Sequence, residues 1–320
     1  MIDIRGEVLR AEERIRPHVL ETPLEECPAY ARPGGPRVWL KHENRQHTGS
    51  FKVRGALNKL LALTPQERAR GVVAASTGNH GAALAYALRS VGANGRVFVP
   101  EDAAPAKLRK IETLGATIEK VGGDPVEAER QARAHAVEHG LAYVSPYNDP
   151  LVIGGQGTIG VELQRQLGEV DTVFASLGGG GLICGIAGYL SSVEPQARFI
   201  GCSPENSPVM VRSVEAGRIL DLPSLPTLSD GTAGGIEREA ITLGLCRELV
   251  DEYVTVSEDE IRATLREFVR ARSTAIEGAA AVAIASYLKI RQRIGGSNVA
   301  IVICGGNIDP DVLGRLVDQP

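Results

Sequence analysis

The stretch that decides how this chain is interpreted covers residues 47–55 and reads HTGSFKVRG, with a lysine at position 52. An apolar run with helical spacing follows from Ala56 to Leu61, so the sequence predicts that Lys52 lies in the first turn of a helix. The positive end of the helix dipole disfavours the ammonium form of a lysine, and burial lowers its pKa further. A lysine that loses its proton easily can attack a carbonyl group and form a Schiff base. The alternative is a solvated surface lysine, and the rest of the chain decides against it.

The composition indicates a soluble globular protein: 43% of the 320 residues are apolar and 23% are charged. The net charge of −4 at pH 7 provides no basic surface for nucleic acid, and no apolar run reaches the roughly 18 residues that cross a bilayer. The N-terminal residues do not form a signal peptide, so we expect a cytoplasmic protein with no nucleic-acid or membrane partner. The five cysteines are dispersed and include no Cys-x-x-Cys pair, which argues against a disulfide framework or a structural zinc site.

Strand-like and helix-like segments alternate along the chain, which predicts an α/β fold with parallel sheets flanked by helices. The predicted strands are residues 72–76, 96–100, 117–121, 171–176, 198–203 and 299–303. The predicted helices include residues 81–89, 107–114, 126–139, 182–192 and 279–290, and a further helix that opens with a capping box at Ser257 and Glu260. Ligands in such folds bind beyond the carboxyl ends of the strands, and three glycine-rich segments occur at such positions.

The first segment follows the strand at residues 72–76 and reads STGNHG at residues 76–81. Hydroxyl groups, an amide and backbone N–H groups meet there at the start of a helix, which predicts a site for a carboxylate. The alternative is an ordinary strand-to-helix turn. Six polar or glycine residues directly after an apolar strand favour the binding site.

The second segment, LGGGGL at residues 177–182, holds four consecutive glycines. Such a loop is entropically costly, and it suits a backbone whose N–H groups must all point at one phosphate. A dinucleotide fold is the main competitor, but its Gly-x-Gly-x-x-Gly motif is not met, because positions 183 and 184 are Ile and Cys. No Gly-Lys-Ser/Thr occurs either, so a P-loop is excluded.

The third segment is CGGN at residues 304–307, where a thiol at the end of a strand can hydrogen-bond a ring nitrogen. A buried structural cysteine is the alternative. A reactive lysine, a phosphate cradle and a partner for a ring nitrogen are together what pyridoxal 5′-phosphate requires, so the sequence predicts this cofactor.

Residues 48–56, 76–81, 155–158, 178–181 and 304–307 together resemble the fold-type II pyridoxal-phosphate enzymes, which share the tryptophan synthase β-like fold. More narrowly, they resemble the threonine/serine dehydratase and serine racemase family. The resemblance implies a large cofactor-binding domain (residues 1–64 and 149–320) and a small inserted α/β domain (residues 65–148) that carries the substrate carboxylate loop. Most relatives are dimers, so it also implies a homodimer.

The resemblance implies a role for each matching residue. Lys52 would carry the internal aldimine and remove the α-proton, Phe51 would pack beside the cofactor ring, and Cys304 would face the pyridine nitrogen. Asn79 would hydrogen-bond the 3′-oxygen, and Glu277 matches a family glutamate near the cofactor. The backbone that would hold the phosphate belongs to Gly178, Gly179, Gly180, Gly181 and Leu182. The residues that would bind the substrate carboxylate are Ser76, Thr77, Gly78, Asn79 and His80, and those that would line the substrate side chain are Ser145 and Tyr147.

The implied reaction is β-elimination of a 3-hydroxy amino acid to a 2-oxo acid and ammonia. The family's divalent-cation motif reads SPENSPV at residues 203–209, where both carboxylate ligands are missing, so we predict no metal site. Residues 145–150 (SPYNDP) and 229–235 (SDGTAGG) most resemble the hydroxyectoine-utilisation dehydratases, which implies a substrate derived from hydroxyectoine.

Three alternatives stay open. Racemases carry a serine base at the position of Thr77, and a threonine hydroxyl could act in the same way. β-Replacement, as in cysteine synthases, is disfavoured by four plain glycines in the phosphate loop. A non-catalytic regulatory protein that binds pyridoxal phosphate is disfavoured because it would not need the carboxylate loop.

Overall fold

The computed structural model describes residues 2–123 and 125–318. Its helices are α1 (Ile4–Ile15), α2 (Lys52–Ala62), α3 (Pro65–Arg70), α4 (Asn79–Val91), α5 (Pro105–Thr113), α6 (Pro125–His139), α7 (Pro150–Leu167), α8 (Gly181–Val193), α9 (Val209–Ala216), α10 (Ile241–Leu249), α11 (Glu258–Arg272), α12 (Gly278–Ile290) and α13 (Pro310–Asp318). Its strands are β1 (Leu24–Glu26), β2 (Arg37–His42), β3 (Val72–Ala75), β4 (Gly95–Val99), β5 (Thr117–Lys120), β6 (Ala142–Tyr143), β7 (Thr172–Ser176), β8 (Arg198–Pro204), β9 (Glu252–Val256) and β10 (Asn298–Ile303). None of the helices in these two ranges is long and apolar enough to cross a membrane.

The strands form two sheets, with the orders β1-β2-β10-β7-β8-β9 and β5-β4-β3-β6. Every pairing is parallel except that of β1 with β2. The predicted α/β class with parallel sheets flanked by helices is therefore confirmed. All strands of the smaller sheet lie between residues 72 and 143, inside the predicted small domain, whose boundaries stay a prediction.

The larger sheet is buried on both faces at its centre. The five residues of β7 and the last five of β10 are all buried, and Phe174 of β7 packs edge-on against Tyr287 of α12 with ring centroids 5.4 Å apart. A strand that is covered on both faces has a continuous run of apolar residues in its sequence, and this explains why β7 and β10 were easy to predict. β1, β2 and β9 were not predicted, because they are short or carry charged residues.

A second apolar core joins α2 to the smaller sheet. Val53 and Leu57 of α2 lie in one buried cluster with Leu84 of α4 and Val97 of β4. The helix that begins at Lys52 therefore packs against α4, which begins at Asn79 within the STGNHG segment, and Lys52 lies near enough to His80 to lower the pKa of its imidazole.

The motif GQGT at residues 155–158 lies inside α7 rather than in a loop. Glycine is costly within a helix, and here close backbone contacts require it. A Cβ on Gly155 would lie 2.6 Å from the Arg54 carbonyl oxygen, and one on Gly157 would lie 2.6 Å from the Gly185 carbonyl oxygen. The missing side chains let α7 pack closely against both α2 and α8.

Candidate active site

Lys52 is the first residue of α2, as the sequence predicts, and its side chain points at the turn before α7. Its Nζ donates a hydrogen bond to the carbonyl oxygen of Pro146 at 2.8 Å and lies 5.1 Å from the centre of the Phe51 ring. Burial lowers the Lys52 pKa to about 8, although Cys304 and Glu277 act in the opposite direction. The amine is therefore a usable nucleophile and base near neutral pH.

A buried ion network anchors the helix that carries Lys52. Arg54 is fully buried, and its guanidinium donates to Glu43 at 2.8 Å and to Glu162 at 2.8 and 3.0 Å. Lys41 donates to the same Glu162 carboxylate at 2.6 Å. Burial alone would raise the pKa of Glu162, but Arg54 and Lys41 hold it at about 2. Neither the network nor its position next to the site was predicted, because its members come from distant segments.

Cys304 and Glu277 meet beside the Lys52 amine. The Cys304 Sγ lies 3.6 Å from Glu277 Oε1, and both residues are buried. Burial and the neighbouring carboxylate raise the pKa of the Cys304 thiol, so it stays neutral at physiological pH. Burial also raises the pKa of Glu277, although Asn79 donates its side-chain amide to both carboxylate oxygens at 3.1 and 2.9 Å. Asn307 in turn donates to Asn79 Oδ1 at 2.6 Å.

The predicted carboxylate loop joins β3 to α4. Gly78 is the N-cap of α4 and its N–H donates to Ser76 Oγ at 3.1 Å; Thr77 is half-buried between them. The first N–H groups of a helix have no intrahelical partner and attract anions. His80 is buried with Nε2 2.8 Å from the Val144 carbonyl oxygen, so Nε2 carries the proton. Burial and nearby Lys52 lower its pKa to about 3, so this imidazole is neutral.

Gly178, Gly179 and Gly180 lie between β7 and α8, and Gly181 is the first residue of α8, at the predicted position. Gly180 has φ of +87°, and a Cβ there would lie 2.9 Å from Cys246 Sγ. A Cβ on Gly179 would lie 2.3 Å from the Tyr147 ring, and one on Gly178 would lie 3.0 Å from the Thr232 Cα. Gly179 therefore has no space for a side chain, Gly180 adopts a left-handed conformation that favours glycine, and Gly178 has little space. The loop leads directly into the N-terminus of α8 at Gly181, followed by buried Leu182.

These observations fit pyridoxal 5′-phosphate. A side chain on any of the first three glycines would collide with its neighbours, while backbone N–H groups at the start of α8 can bind a phosphate. At the same site Lys52 offers an amine of lowered pKa, and Cys304 offers a neutral thiol. The structure thus brings the predicted cofactor-binding segments together, and the role of each residue stays a prediction.

Ser145 and Tyr147, predicted to line the substrate side chain, both contact Glu237. Ser145 Oγ donates to Glu237 Oε1 at 3.2 Å, and the Glu237 N–H donates to the Tyr147 hydroxyl at 2.9 Å. Glu237 lies in the segment before α10, and the sequence analysis did not identify it. The only feature of the sequence that pointed toward this part of the chain was the neighbouring SDGTAGG segment at residues 229–235.

The residues at the segment that resembles the family's divalent-cation motif contact one another or the rest of the protein, and the absence of a metal site there stays a prediction. The Ser203 hydroxyl donates directly to the Ser207 carbonyl oxygen at 3.4 Å, and Val209 is buried and apolar. The Lys289 ammonium donates to Glu260 at 3.1 Å and lies 3.6 Å from the Glu205 carboxylate. Across the described residues, no three His, Cys, Asp or Glu side chains are grouped so that they could hold a metal.

Comparison with known proteins gives a consistent result. Residues 15–305 match the family model described as pyridoxal-phosphate dependent enzyme. The chain is 40% identical to a putative threonine dehydratase from Sinorhizobium fredii, over 94% of this chain and 91% of that protein. It is 38% identical to the L-threonine ammonia-lyase of Thermotoga maritima, over 98% of this chain and 78% of that protein. Among solved structures, maize serine racemase superposes with a TM-score of 0.91 at 29% identity and covers 97% of this chain and 95% of its own.

Proposed function

This chain belongs to the fold-type II pyridoxal-phosphate dependent enzymes, in the serine/threonine dehydratase and serine racemase family, and we propose that it eliminates the hydroxyl group of a 3-hydroxy amino acid. It is a pyridoxal-phosphate-dependent lyase of the dehydratase type. The products of the proposed reaction are a 2-oxo acid and ammonia. The observation that carries the proposal is the Lys52 amine, whose pKa of about 8 makes it available beside a loop that suits a carboxylate.

Bound pyridoxal 5′-phosphate supplies an electron sink that stabilises negative charge at the substrate α-carbon. We assign its covalent attachment to Lys52, its phosphate to the backbone of Gly178–Leu182 and its pyridine nitrogen to Cys304. Because burial keeps the Cys304 thiol neutral, it can offer a hydrogen bond but no charge. A neutral partner favours loss of a β-substituent over transamination.

Lys52 would move the proton in this reaction. Burial lowers its pKa to about 8, so about a tenth of the amine is unprotonated at pH 7, and its Nζ donates a hydrogen bond to the Pro146 carbonyl oxygen. The free amine would take the α-proton of the substrate. The Pro146 contact limits where Nζ can lie, and such orientation lowers the entropic cost of the step.

The loop from Ser76 to His80 would bind the substrate carboxylate. The N–H groups at the start of α4 and the hydroxyl groups of Ser76 and Thr77 supply donors there. Neutral His80 is fixed to the Val144 carbonyl oxygen, so it stiffens the loop without adding charge. The bound carboxylate would set the orientation of the α-proton toward Lys52.

Threonine, serine and a hydroxyectoine-derived 3-hydroxy amino acid are the proposed substrates. The relatives named threonine dehydratase and L-threonine ammonia-lyase support threonine, the serine/threonine dehydratase resemblance supports serine, and the 145–150 and 229–235 segments support the third. Racemisation is a second candidate, because Thr77 carries a hydroxyl group on the carboxylate loop and the fold closely matches maize serine racemase. The family resemblance further supports a cytoplasmic location and a homodimer, and sedimentation of the purified protein would test the homodimer.

The decisive experiment is an assay of 2-oxo acid and ammonia release by the purified protein loaded with pyridoxal 5′-phosphate. The substrates are L- and D-serine, L-threonine, both 3-hydroxyaspartates, and 3-hydroxy-2,4-diaminobutyrate with its N-acetyl forms. We expect release from at least one of them and none from Lys52→Ala. Interconversion of L- and D-serine without ammonia release would instead support the racemase. A cofactor-loaded protein that changes none of these compounds would contradict both.

A further inference from the structure

A charged cluster lies beside the predicted substrate side-chain loop, and the proposed elimination does not use it. We call it the Glu237 cluster. Its members are Glu129, Arg133, Ser145, Asn148 and Glu237. The Glu237 carboxylate accepts hydrogen bonds from Ser145 Oγ at 3.2 Å and from Asn148 Nδ2 at 2.7 Å, and Arg133 Nη2 lies 2.6 Å from Glu237 Oε1. Only a fifth of the Glu237 side chain is exposed.

The cluster is adjacent to the reactive amine. Pro146, which follows Ser145, accepts the hydrogen bond from Lys52 Nζ. The next residue, Tyr147, packs its ring against Gly179 and accepts a hydrogen bond from the Glu237 N–H. Glu237 therefore touches the residues on both sides of the one that holds Lys52. These contacts place the Glu237 carboxylate beside the loop that the family resemblance predicts to line the substrate side chain.

The cluster has one excess negative charge. Arg133 is its single cation, and it is shared between Glu237 at 2.6 Å and Glu129 at 3.0 Å. The Arg133 guanidinium also stacks on the Tyr143 ring at 4.1 Å. Two carboxylates thus face one guanidinium, and Glu237 Oε2 has an uncharged amide as its partner. The Arg133 and Glu129 side chains are 38% and 35% exposed, so solvent partly screens their charges. At the less exposed Glu237 carboxylate, this balance favours a cation and disfavours another anion.

We propose that Glu237 determines substrate specificity by accepting a charge-assisted hydrogen bond from a protonated amine on the substrate side chain. This inference rests on the proposed function, because it assigns the substrate class of the same site. A carboxylate at the same position would have to displace Glu237 from Arg133, whereas an ammonium group can bind Oε2 and leave that ion pair in place. A methyl group would gain nothing from the cluster.

The alternative role for Glu237 is purely structural, since it links α6 to the segment before α10. The two roles differ in one measurable respect. A structural link affects all ligands of similar size by a similar factor, whereas a specificity residue changes the ratio between charged and uncharged ligands.

The test compares three ligands that lack a β-hydroxyl group and so cannot undergo the elimination: L-2,4-diaminobutyrate, L-2-aminobutyrate and L-aspartate. Their dissociation constants are measured from the absorbance change of the cofactor-loaded protein. We expect L-2,4-diaminobutyrate to bind at least about tenfold more tightly than L-2-aminobutyrate, as charge-assisted hydrogen bonds commonly provide, and L-aspartate to bind most weakly. Glu237→Gln keeps the shape of the side chain and should reduce the preference to about twofold or less.

The matched control is Glu239→Gln, which removes an exposed carboxylate from the same segment and should leave the preference unchanged. Equal binding of the three ligands, binding of none of them, or equal loss of the preference in both variants would overturn the inference. Failure of the proposed function gives a different result, namely no ammonia from any 3-hydroxy amino acid while the preference for L-2,4-diaminobutyrate persists.

Discussion

The Lys52 amine should capture its cofactor with an unusual dependence on pH. Its pKa is lowered from 10.5 to about 8, chiefly by burial. At pH 7.5 about a quarter of an amine with a pKa of 8 is neutral, against about 0.1% for one with a pKa of 10.5. Only the neutral amine attacks the aldehyde, so Lys52 holds an advantage of about 200-fold in reactive fraction over an ordinary lysine.

The assay follows covalent capture of pyridoxal 5′-phosphate by the cofactor-free protein, by absorbance, from pH 6.5 to 10. The rate should rise about tenfold per pH unit below 8 and level off above it. Nα-acetyl-lysine serves as the reference for titration of the cofactor itself, and its rate should keep rising to about pH 10. Lys52→Ala serves as the control for attachment elsewhere. A protein rate that keeps rising in parallel with the reference beyond pH 9 would refute the argument that burial activates this lysine.

Three further predictions concern stability and cofactor binding. Arg54→Met leaves two buried carboxylates short of a partner, so urea unfolding should show that the free energy of unfolding falls by about 3–5 kcal/mol. The control, Arg165→Met at an exposed position, should lower it by less than about 1 kcal/mol. Equal losses in the two variants would be inconsistent with the buried network. Gly179→Ala should weaken cofactor binding at least about tenfold in equilibrium titration, because the added Cβ has no space. The control, Gly244→Ala, should leave cofactor binding unchanged, because a Cβ there meets nothing within 4 Å. The pKa of His80 is about 3 in the folded protein, so below pH 6.5 the unfolded chain binds more protons than the folded one, and the free energy of unfolding decreases as the pH is lowered. Between pH 7.5 and pH 5 this group should lower the free energy of unfolding by roughly 2 kcal/mol, and His80→Gln should not show this loss.

Much of the candidate site was predictable because its parts are local in sequence. An apolar strand followed by a glycine-rich loop and a helix predicts where each loop lies, and the structure has Gly178–Gly180 between β7 and α8, with Gly181 opening α8, as expected. Lys52 likewise begins α2, since the apolar spacing after it is sufficient to define a helix. Strand and helix ends shifted by one or two residues, as for α4, which begins at Asn79 rather than Gly81.

Contacts between distant segments were not predictable. Pro146 is 94 residues from Lys52, and its carbonyl oxygen accepts a hydrogen bond from the Lys52 amine. Glu237 is 92 residues from Ser145, and its carboxylate accepts a hydrogen bond from the Ser145 hydroxyl. No periodicity or motif connects such residues, because the hydrogen bond that each polar side chain makes is visible only once the fold has brought its partner next to it. The Arg54 network has the same character.

The sequence by itself determined the α/β class and the cofactor, because these depend on spacing within short segments and on residue types that few other ligands require. On the same basis it predicts that Lys52 is the reactive lysine. Only the tertiary structure decided the electrostatics of the site. The pKa values of Lys52, His80 and Cys304 depend on burial and on charges contributed by other segments. The same is true of the excess negative charge around Glu237, since a charge balance is a property of groups that packing has brought within a few ångströms of each other.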